Sequence, residues 1–431
     1  MKTVTRRAGF AIIIALLVIL GILTYGFRYL QNGSSWASFF GNENVTGTSV
    51  LTDRNGVSLA TIQSGSVTYA DDYDTRVACY QVIGDQSGNI GTGALSRFAG
   101  RLSGFNYIYG TTNSKGTNVH LTLDSSLNVT AYNALGDREG AVLVSNYETG
   151  EILCMASTPS QDPASPSDNP PEGTYLNKCI SSALTPGSTF KLVTLTAAIE
   201  TVPDIYNKTY TCNGSIDIGG VTINCTGVHG NQDVYGALAN SCNCAFAQIA
   251  QDVGPNSMET YASRLGFTKE HSVNGIPTAA GRFDKAPAGS ANLSWSGIGQ
   301  YNDLVCPYSM LRLVSAVGNN GSILEPSILK HAATDRKNNI LDSDTAYALK
   351  GFMRNNVVNN YGTGTFPGLE ICAKSGTAEV GDGTSHAWFV GFLDDPNHPY
   401  AFVVVVEHGG GGLSSAGPVA NTVLQALVNK Y

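Results

Sequence analysis

The sequence predicts an α+β protein with an antiparallel sheet, carried behind one membrane-spanning helix and a small N-terminal module. Three observations predict it. The chain runs without a charge from Ala8 to Phe27, the length of about 20 apolar residues that crosses a bilayer as a helix. In the body of the chain, paired apolar runs split by turn residues come first and last, with helical patterns between them. Gly is abundant at 49 of 431 residues while only 13% are charged, a profile of strands and turns under a weakly charged surface. A hydrophobic content of 42% excludes a disordered chain, and a net charge of -8 gives no footing for a nucleic-acid partner.

The elements follow in order. Lys2, Arg6 and Arg7 precede the apolar run, so residues 1–7 read as a cytoplasmic tail, 8–27 as the anchor, and the rest as lying outside the membrane. A cleaved signal peptide is the alternative. It would have a shorter apolar run ending at an A-x-A-like site, whereas this run continues into "RYLQNG". Residues 28–48, rich in Gly, Ser and Asn towards their end, are expected as a linker. Residues 49–117 read as a small pedestal module. It opens with "VLTDRNGVSLATI", a hairpin about Asn55-Gly56, because that dipeptide tolerates the left-handed turn a short hairpin needs.

Residues 118–431 read as the main domain. A strand leads to a helix with Asp124 or Ser125 as N-cap and with Leu127, Ala131 and Leu135 on one face. "GAVLVSNYETGEILCMAS" is a hairpin turning at Glu148-Thr149-Gly150, and a Pro/Ser/Asp-rich loop spans Thr158 to Gly173. A helix holding Lys191 follows. "HAWFVGFLDDPNHPYAFVVVVEHGGG" is a second hairpin, and Ser414 to Tyr431 closes the chain as a helix.

Nine cysteines at irregular spacings outside a membrane raise the question of disulfides. Cys212 and Cys225 flank "NGSIDIGGVTIN", a hairpin with its turn at Gly219-Gly220, and are the best candidates for a disulfide. Cys154 and Cys372 lie in apolar runs and read as small buried hydrophobes. Cys212, Cys225 and His229 could also ligate zinc, but no second ligand pair accompanies them in the sequence. The sequence reading therefore expects no metal and no cofactor.

The chemistry centres on "PGSTFK". Ser188 and Lys191 stand three residues apart at the start of a helical pattern, so they share a face. A helix N-terminus favours a developing oxyanion. A lysine becomes a base when burial or a second cation lowers its pKa. The bland reading is a helix cap, and Ser327 with Lys330 shows that S-x-x-K also occurs in this chain by chance, after Pro326 in an apparent strand. A serine–lysine site needs further polar groups. S-x-N occurs at Ser87, Ser126, Ser167, Ser241, Ser272 and Ser290. Of these, Ser241-Cys242-Asn243 lies in a short loop between two helical patterns and comes after the nucleophile. K-[ST]-G occurs once, at Lys374-Ser375-Gly376, behind the apolar residues Ile371, Cys372 and Ala373.

In that order and context the chain resembles a class B penicillin-binding protein, a peptidoglycan D,D-transpeptidase. "YLNKCISSALTPGSTFKLVTLTAAIE", "GIGQYNDLVCPYSMLRLVSAVGNNG", "AKSGTAEV" and "HAWFVGF" are similar to that family, as is "DRNGVSLA" in the membrane-proximal module. The resemblance implies a serine β-lactamase/transpeptidase-like domain with a helical subdomain. It implies Ser188 as nucleophile, Lys191 as base, Ser241 as proton relay, Asn243 as a holder of the substrate amide, and Lys374 as a source of positive potential. It implies Ser375, Gly376 and Thr377 as substrate-binding residues, with backbone N–H groups of Ser188 and Thr377 as the oxyanion hole. The implied partners are D-Ala-D-Ala stem peptides, β-lactam antibiotics, the bacterial membrane through the N-terminal helix, and a membrane-embedded glycosyltransferase. Tyr301 departs from the glycine often found there in the family, and the pedestal is short. Rival readings are a D,D-carboxypeptidase, a serine β-lactamase (although no E-x-x-L-N element is evident) and a non-catalytic β-lactam sensor or scaffold.

Overall fold

The computed structural model describes residues 2–36, 47–63, 65–103, 117–332, 336–337 and 340–431. The first helix runs Lys2–Trp36. Its stretch Arg7–Phe27 is long and apolar enough to cross a membrane, and none of it is covered by the rest of the protein. The helix therefore continues through the first part of the segment expected as linker. Gly33 does not end it, since an interior glycine costs only about 1 kcal/mol.

The hairpin about Asn55-Gly56 pairs Thr48–Thr52 with Ser58–Gln63. Asp53 fixes the turn by accepting from the N–H groups of Asn55 and Val57 at 2.8 and 2.9 Å. Ser66–Tyr69 adds a third strand, and Val119–His120 a fourth by parallel pairing with Thr48–Thr52. This small sheet thus draws strands from both sides of residue 117. Short helices follow it, and Arg76 grips Asp162 of the Pro-rich loop with two bonds of 2.8 Å.

The main sheet has five antiparallel strands: β1 (Gly140–Asn146), β2 (Ile152–Thr158), β3 (Ile371–Glu379), β4 (Ser385–Leu393) and β5 (Tyr400–Val406). Their order is β3-β4-β5-β1-β2, which leaves β3 as an edge. All seven residues of β5 are buried, so both faces must be covered. One face packs Leu143, Met155, Trp388, Phe392 and Val403 into the larger core. The other packs Val142, Phe389, Phe402 and Val404 against Leu127, Ala131 and Leu135 of the helix Ser125–Leu135 and Val423, Leu424 and Leu427 of the C-terminal helix Gly417–Lys430. The larger core holds α1 (Lys191–Thr201), α2 (Val234–Ala239), α3 (Asn243–Arg264) and α4 (Pro307–Gly318). α3 breaks at Gly254, just before Pro255. The β1–β2 turn closes as expected, with Asn146 Oδ1 accepting from the N–H groups of Glu148 and Thr149 at 2.9 Å each.

Asp124 ties the ends of the domain together. Its carboxylate caps the helix Ser125–Leu135 through the N–H groups of Ser126 and Leu127. The same carboxylate takes Lys430 Nζ at 2.6 Å and the Tyr431 hydroxyl at 2.5 Å. Burial acts to raise its pKa, but bonds from Lys430, Tyr431 and Ser126 outweigh it and hold the group at about 2. The folded pKa lies below the unfolded value, so this stabilisation is full above about pH 4 and is lost as pH falls towards 2. Asp124→Ala should destabilise the detergent-solubilised chain by about 1–2 kcal/mol at neutral pH, the size of a lost N-cap. In thermal melts its penalty should shrink below about pH 4; an equal penalty at every pH would contradict the assignment.

Candidate active site

The turn that bears Ser188 is clamped onto the sheet before any chemistry is considered. Gly187–Thr189 forms one 3-10 turn, and α1 starts at Lys191. The Trp388 indole donates to Thr185 O at 2.9 Å, and the Gly187 N–H donates to Gly299 O at 2.9 Å. Gly187 has φ 52, and a Cβ there would sit 2.5 Å from Thr377 O. Gly376 is as tightly placed, since a Cβ on it would meet Thr189 Cγ2 at 2.8 Å. Only glycines let the turn and β3 approach this closely.

Lys191 and Lys374 are both 0% exposed. Lys191 Nζ donates to Ser241 O at 2.6 Å, to Asn243 Oδ1 at 2.8 Å and to Ser241 Oγ at 3.3 Å. Lys374 Nζ donates to Ser241 Oγ at 2.9 Å and to Ser375 O at 2.7 Å. The Ser241 hydroxyl therefore lies between two amines. Burial lowers the Lys191 pKa to about 7. Burial, with the charge of Lys191 second, pushes Lys374 well below the ordinary lysine value. Desolvation, rather than the neighbouring cation, is thus the first cause at Lys191.

Ser241 itself is strained, with φ 49, a left-handed conformation unusual for a residue with a Cβ. It sits between α2 and α3, where the Cys242 N–H closes back on Ala237 O at 2.9 Å. Asn243 is engaged on both sides of its amide. Its oxygen is held by Lys191, and its amide nitrogen donates to Asn224 O at 3.1 Å. In this structure it orients Lys191. No hydrogen bond joins Ser188 to Lys191, whose amine points to Ser241 and Asn243.

The open edge of β3 has a pattern that the sequence did not disclose. The Ser375 N–H leaves the sheet and donates to the Tyr361 hydroxyl at 2.9 Å, which also lies 3.1 Å from Ser375 Oγ. Two residues beyond Thr377, the Gln300 amide, oriented to suit its partners, pairs with the Glu379 backbone at 3.1 and 3.3 Å. Backbone groups two apart along a strand point the same way. The Thr377 N–H therefore points to the same edge, between two capped neighbours and facing the Ser188 turn. The Thr377 side chain is exposed, and its Oγ1 accepts from the Gly412 N–H at 3.4 Å. Tyr301, next to Gln300, has φ 66, the conformation that favours a glycine.

Two other motif matches have separate partners. Ser327 Oγ is held by Asn274 Oδ1 at 3.0 Å and Leu329 O at 3.1 Å, while the Lys330 amine donates to Arg54 O. Ser167 bonds within its own Pro-rich loop, its Oγ accepting from the Asn169 N–H and its N–H donating to Gln161 Oε1.

The expected Cys212–Cys225 disulfide is corrected, since all nine cysteines are free thiols. Both face His229 Nδ1, each at 3.5 Å. A fourth group, not paired with them from the sequence, is Cys242, whose sulfur lies 3.7 Å from that of Cys225. The four ligand atoms lie within 4.8 Å of one another, which removes the ground for setting metal binding aside.

Comparison with known proteins bears directly on this arrangement. The penicillin binding protein transpeptidase domain matches residues 140–425. The peptidoglycan D,D-transpeptidase PbpA of Mycolicibacterium smegmatis is 25% identical over 371 residues, 73% of this chain and 73% of its own. Stage V sporulation protein D of Bacillus subtilis is 27% identical over 341 residues, 72% of this chain and 52% of its own length. The crystal structure of PBPA from Mycobacterium tuberculosis has a TM-score of 0.79 at 22% identity, covering 89% of this chain and 100% of that one; at this identity the likeness speaks for the fold. With the Ser188 turn, the lysine pair and the edge strand all inside the matched region, the chain belongs to the penicillin binding protein transpeptidase domain family.

Proposed function

We propose that the chain is a peptidoglycan D,D-transpeptidase that cross-links stem peptides through an acyl-enzyme on Ser188. The observation that carries this reading is the Ser241 hydroxyl held between the Lys191 and Lys374 amines, beside the Ser188 turn. The assignment is supported by relatives named as D,D-transpeptidases.

In this mechanism the Ser188 hydroxyl attacks the carbonyl of the penultimate D-alanine and its proton passes to neutral Lys191. The oxygen that becomes negative accepts from the Ser188 and Thr377 N–H groups, fixed donors that need no reorganisation. The C–N bond then breaks. Ser241 hands a proton, replaced from the lysine pair, to the departing D-alanine nitrogen. Asn243 keeps the Lys191 amine aimed at this relay. Thr377 offers its exposed side chain to the terminal carboxylate, whereas the Ser375 hydroxyl is already shared with Tyr361. A stem-peptide amine attacks the ester carbonyl, loses its proton to the same base, and releases Ser188. A β-lactam carries a carbonyl and carboxylate in the same relation and would acylate the same oxygen. A solved relative was captured as an imipenem acyl-enzyme.

The positive residues before the apolar run favour a cytoplasmic N-terminus, so the catalytic domain would face the wall outside a bacterial membrane. Residues 49–117, joined to the main domain by Arg76–Asp162, would act as a pedestal. Together with the anchor they are the surface that a membrane-embedded glycosyltransferase would meet.

Fluorescent penicillin should label the full chain covalently and fail to label Ser188→Ala, while Ser327→Ala labels normally. Labelling that survives in Ser188→Ala would sink the assignment, and rapid release of hydrolysed drug would point to a β-lactamase instead.

The pH dependence follows from the base. Lys191 works as the neutral amine, and its pKa is lowered to about 7. The acylation rate should therefore rise with pH across about pH 6 to 8 and then level off. Lys191→Ala should slow acylation by roughly 10²–10⁴-fold; a flat profile through neutrality in the wild-type chain would remove Lys191 as the base.

A further inference from the structure

The four-residue group beside the S-x-N loop has the donors, spacing and setting of a metal centre. Cys212 ends the strand Tyr210–Cys212, Cys225 follows the hairpin strand Val221–Asn224, and His229 precedes the strand Gly230–Gln232. Cys242 caps α3. Zinc bonds sulfur at about 2.3 Å and imidazole nitrogen at about 2.0–2.1 Å in tetrahedral sites. Those lengths at tetrahedral angles set S···S at roughly 3.8 Å and S···N at roughly 3.5–3.6 Å. The observed separations are 3.7 Å for Cys225–Cys242 and 3.5 Å for both Cys212–His229 and Cys225–His229.

The surroundings suit bound thiolates. The Asn243 N–H points at Cys225 Sγ at 3.3 Å, and the Ala245 N–H at Cys242 Sγ at 3.4 Å. Such donors stabilise negative sulfur and fix ligand orientation. Cys212 and Cys242 are buried while Cys225 and His229 are partly exposed, which leaves an entry path without opening the core. Three sulfurs and one imidazole, with no carboxylate among them, favour zinc over the hard cations.

We infer that Cys212, Cys225, His229 and Cys242 bind one structural zinc ion, which locks the Ser241–Cys242–Asn243 loop in its active conformation. All four tetrahedral positions are filled by protein, so the ion has no open site for substrate. Its effect is positional. Cys242 lies between Ser241, whose backbone is strained, and Asn243, which aims Lys191. The metal would anchor that loop to two β-hairpin segments more than ten residues upstream in sequence, and hold the Ser241 hydroxyl between the two amines. Binding would release the thiol protons to solvent, with no redox change. The metal site stands on its own ligands, and only its consequence for acylation rests on the transpeptidase reading.

The test uses the full chain, solubilised in detergent and purified without chelator. Metal analysis should give about one zinc per chain. Cys242→Ser and His229→Ala should lose most of it, and Cys154→Ala, a buried thiol elsewhere in the core, should keep it. Cobalt exchanged into the wild-type chain should give the intense visible and thiolate charge-transfer bands of a tetrahedral sulfur site, a readout that needs no variant to fold. Stripping the metal with a strong chelator should lower the melting temperature and slow penicillin labelling roughly tenfold or more, as loss of a positioned group does, and zinc should restore both. A chain with no stoichiometric metal and no cobalt bands, or one in which these cysteines prove to be disulfide-bonded, overturns the site. Zinc bound and stabilising in a chain that penicillin never labels supports the site while counting against the transpeptidase reading.

Discussion

Two lysine amines buried within reach of one serine hydroxyl set the terms for the rest of this structure. Taking an ammonium out of water costs several kcal/mol unless acceptors replace the solvent. Here the acceptors are two backbone carbonyls, Ser241 O and Ser375 O, together with Asn243 Oδ1 and the shared Ser241 hydroxyl. Each comes from a different part of the chain than the lysine it serves, except Ser375 O beside Lys374. The loop between α2 and α3, the first turn of α1 and the edge strand β3 must therefore meet at one point. Among the described residues, no carboxylate contacts either amine. An ion pair would hold each lysine charged, whereas neutral acceptors leave burial free to lower the pKa.

That demand accounts for strain that would otherwise only cost stability. Ser241 holds a left-handed backbone, a cost of order 1–3 kcal/mol, and with it presents both its carbonyl and its hydroxyl to lysines. Gly187 and Gly376 remove the side chains that would keep the Ser188 turn off β3. The helix α1, buried from Lys191 to Ala198 with Leu192, Val193, Leu195 and Ala197 among the buried residues, fixes the origin of Lys191. The site is thus the meeting of a rigid helix, a rigid strand and one loop that needs external restraint. That loop is where Cys242 lies.

What could be read from the sequence was local, and what could not was tertiary. The turns at Asn55-Gly56 and Gly219-Gly220 were legible because both dipeptides meet a demand for positive φ within a few residues, and Gly56, Gly219 and Gly220 all have it. Asp124 was legible as a cap for the same local reason, but its bonds to Lys430 and Tyr431 join opposite ends of the domain and leave no sequence spacing to detect. Ser188, Lys191, Ser241 and Lys374 were singled out by motif order and local context, and the structure brings the side chains of Lys191, Ser241 and Lys374 into contact. Tyr361 and Gln300 were missed because capping an edge strand from another element has no motif. The bond from Asn243 to Asn224 was not legible because Asn224 lies on a hairpin whose placement only the fold determines. The zinc ligands were set aside for the same reason: Cys242 arrives from a turn between helices, outside any paired spacing.

The edge of β3 shows how the site and the stability of the fold are reconciled. An exposed strand edge invites pairing with another chain, and proteins blunt such edges with covering groups. Here Tyr361 covers Ser375 and Gln300 covers Glu379, so the edge is closed on both sides of Thr377 and left open at that residue. A second strand could not zip along it, because the first and third donors are already taken. A single small acceptor could still reach the middle one. A tetrahedral oxyanion is such an acceptor and an extended β-strand from a neighbouring molecule is not. The same two caps that cover the sheet edge therefore leave the Thr377 N–H to a small acceptor, in keeping with the oxyanion role proposed for it.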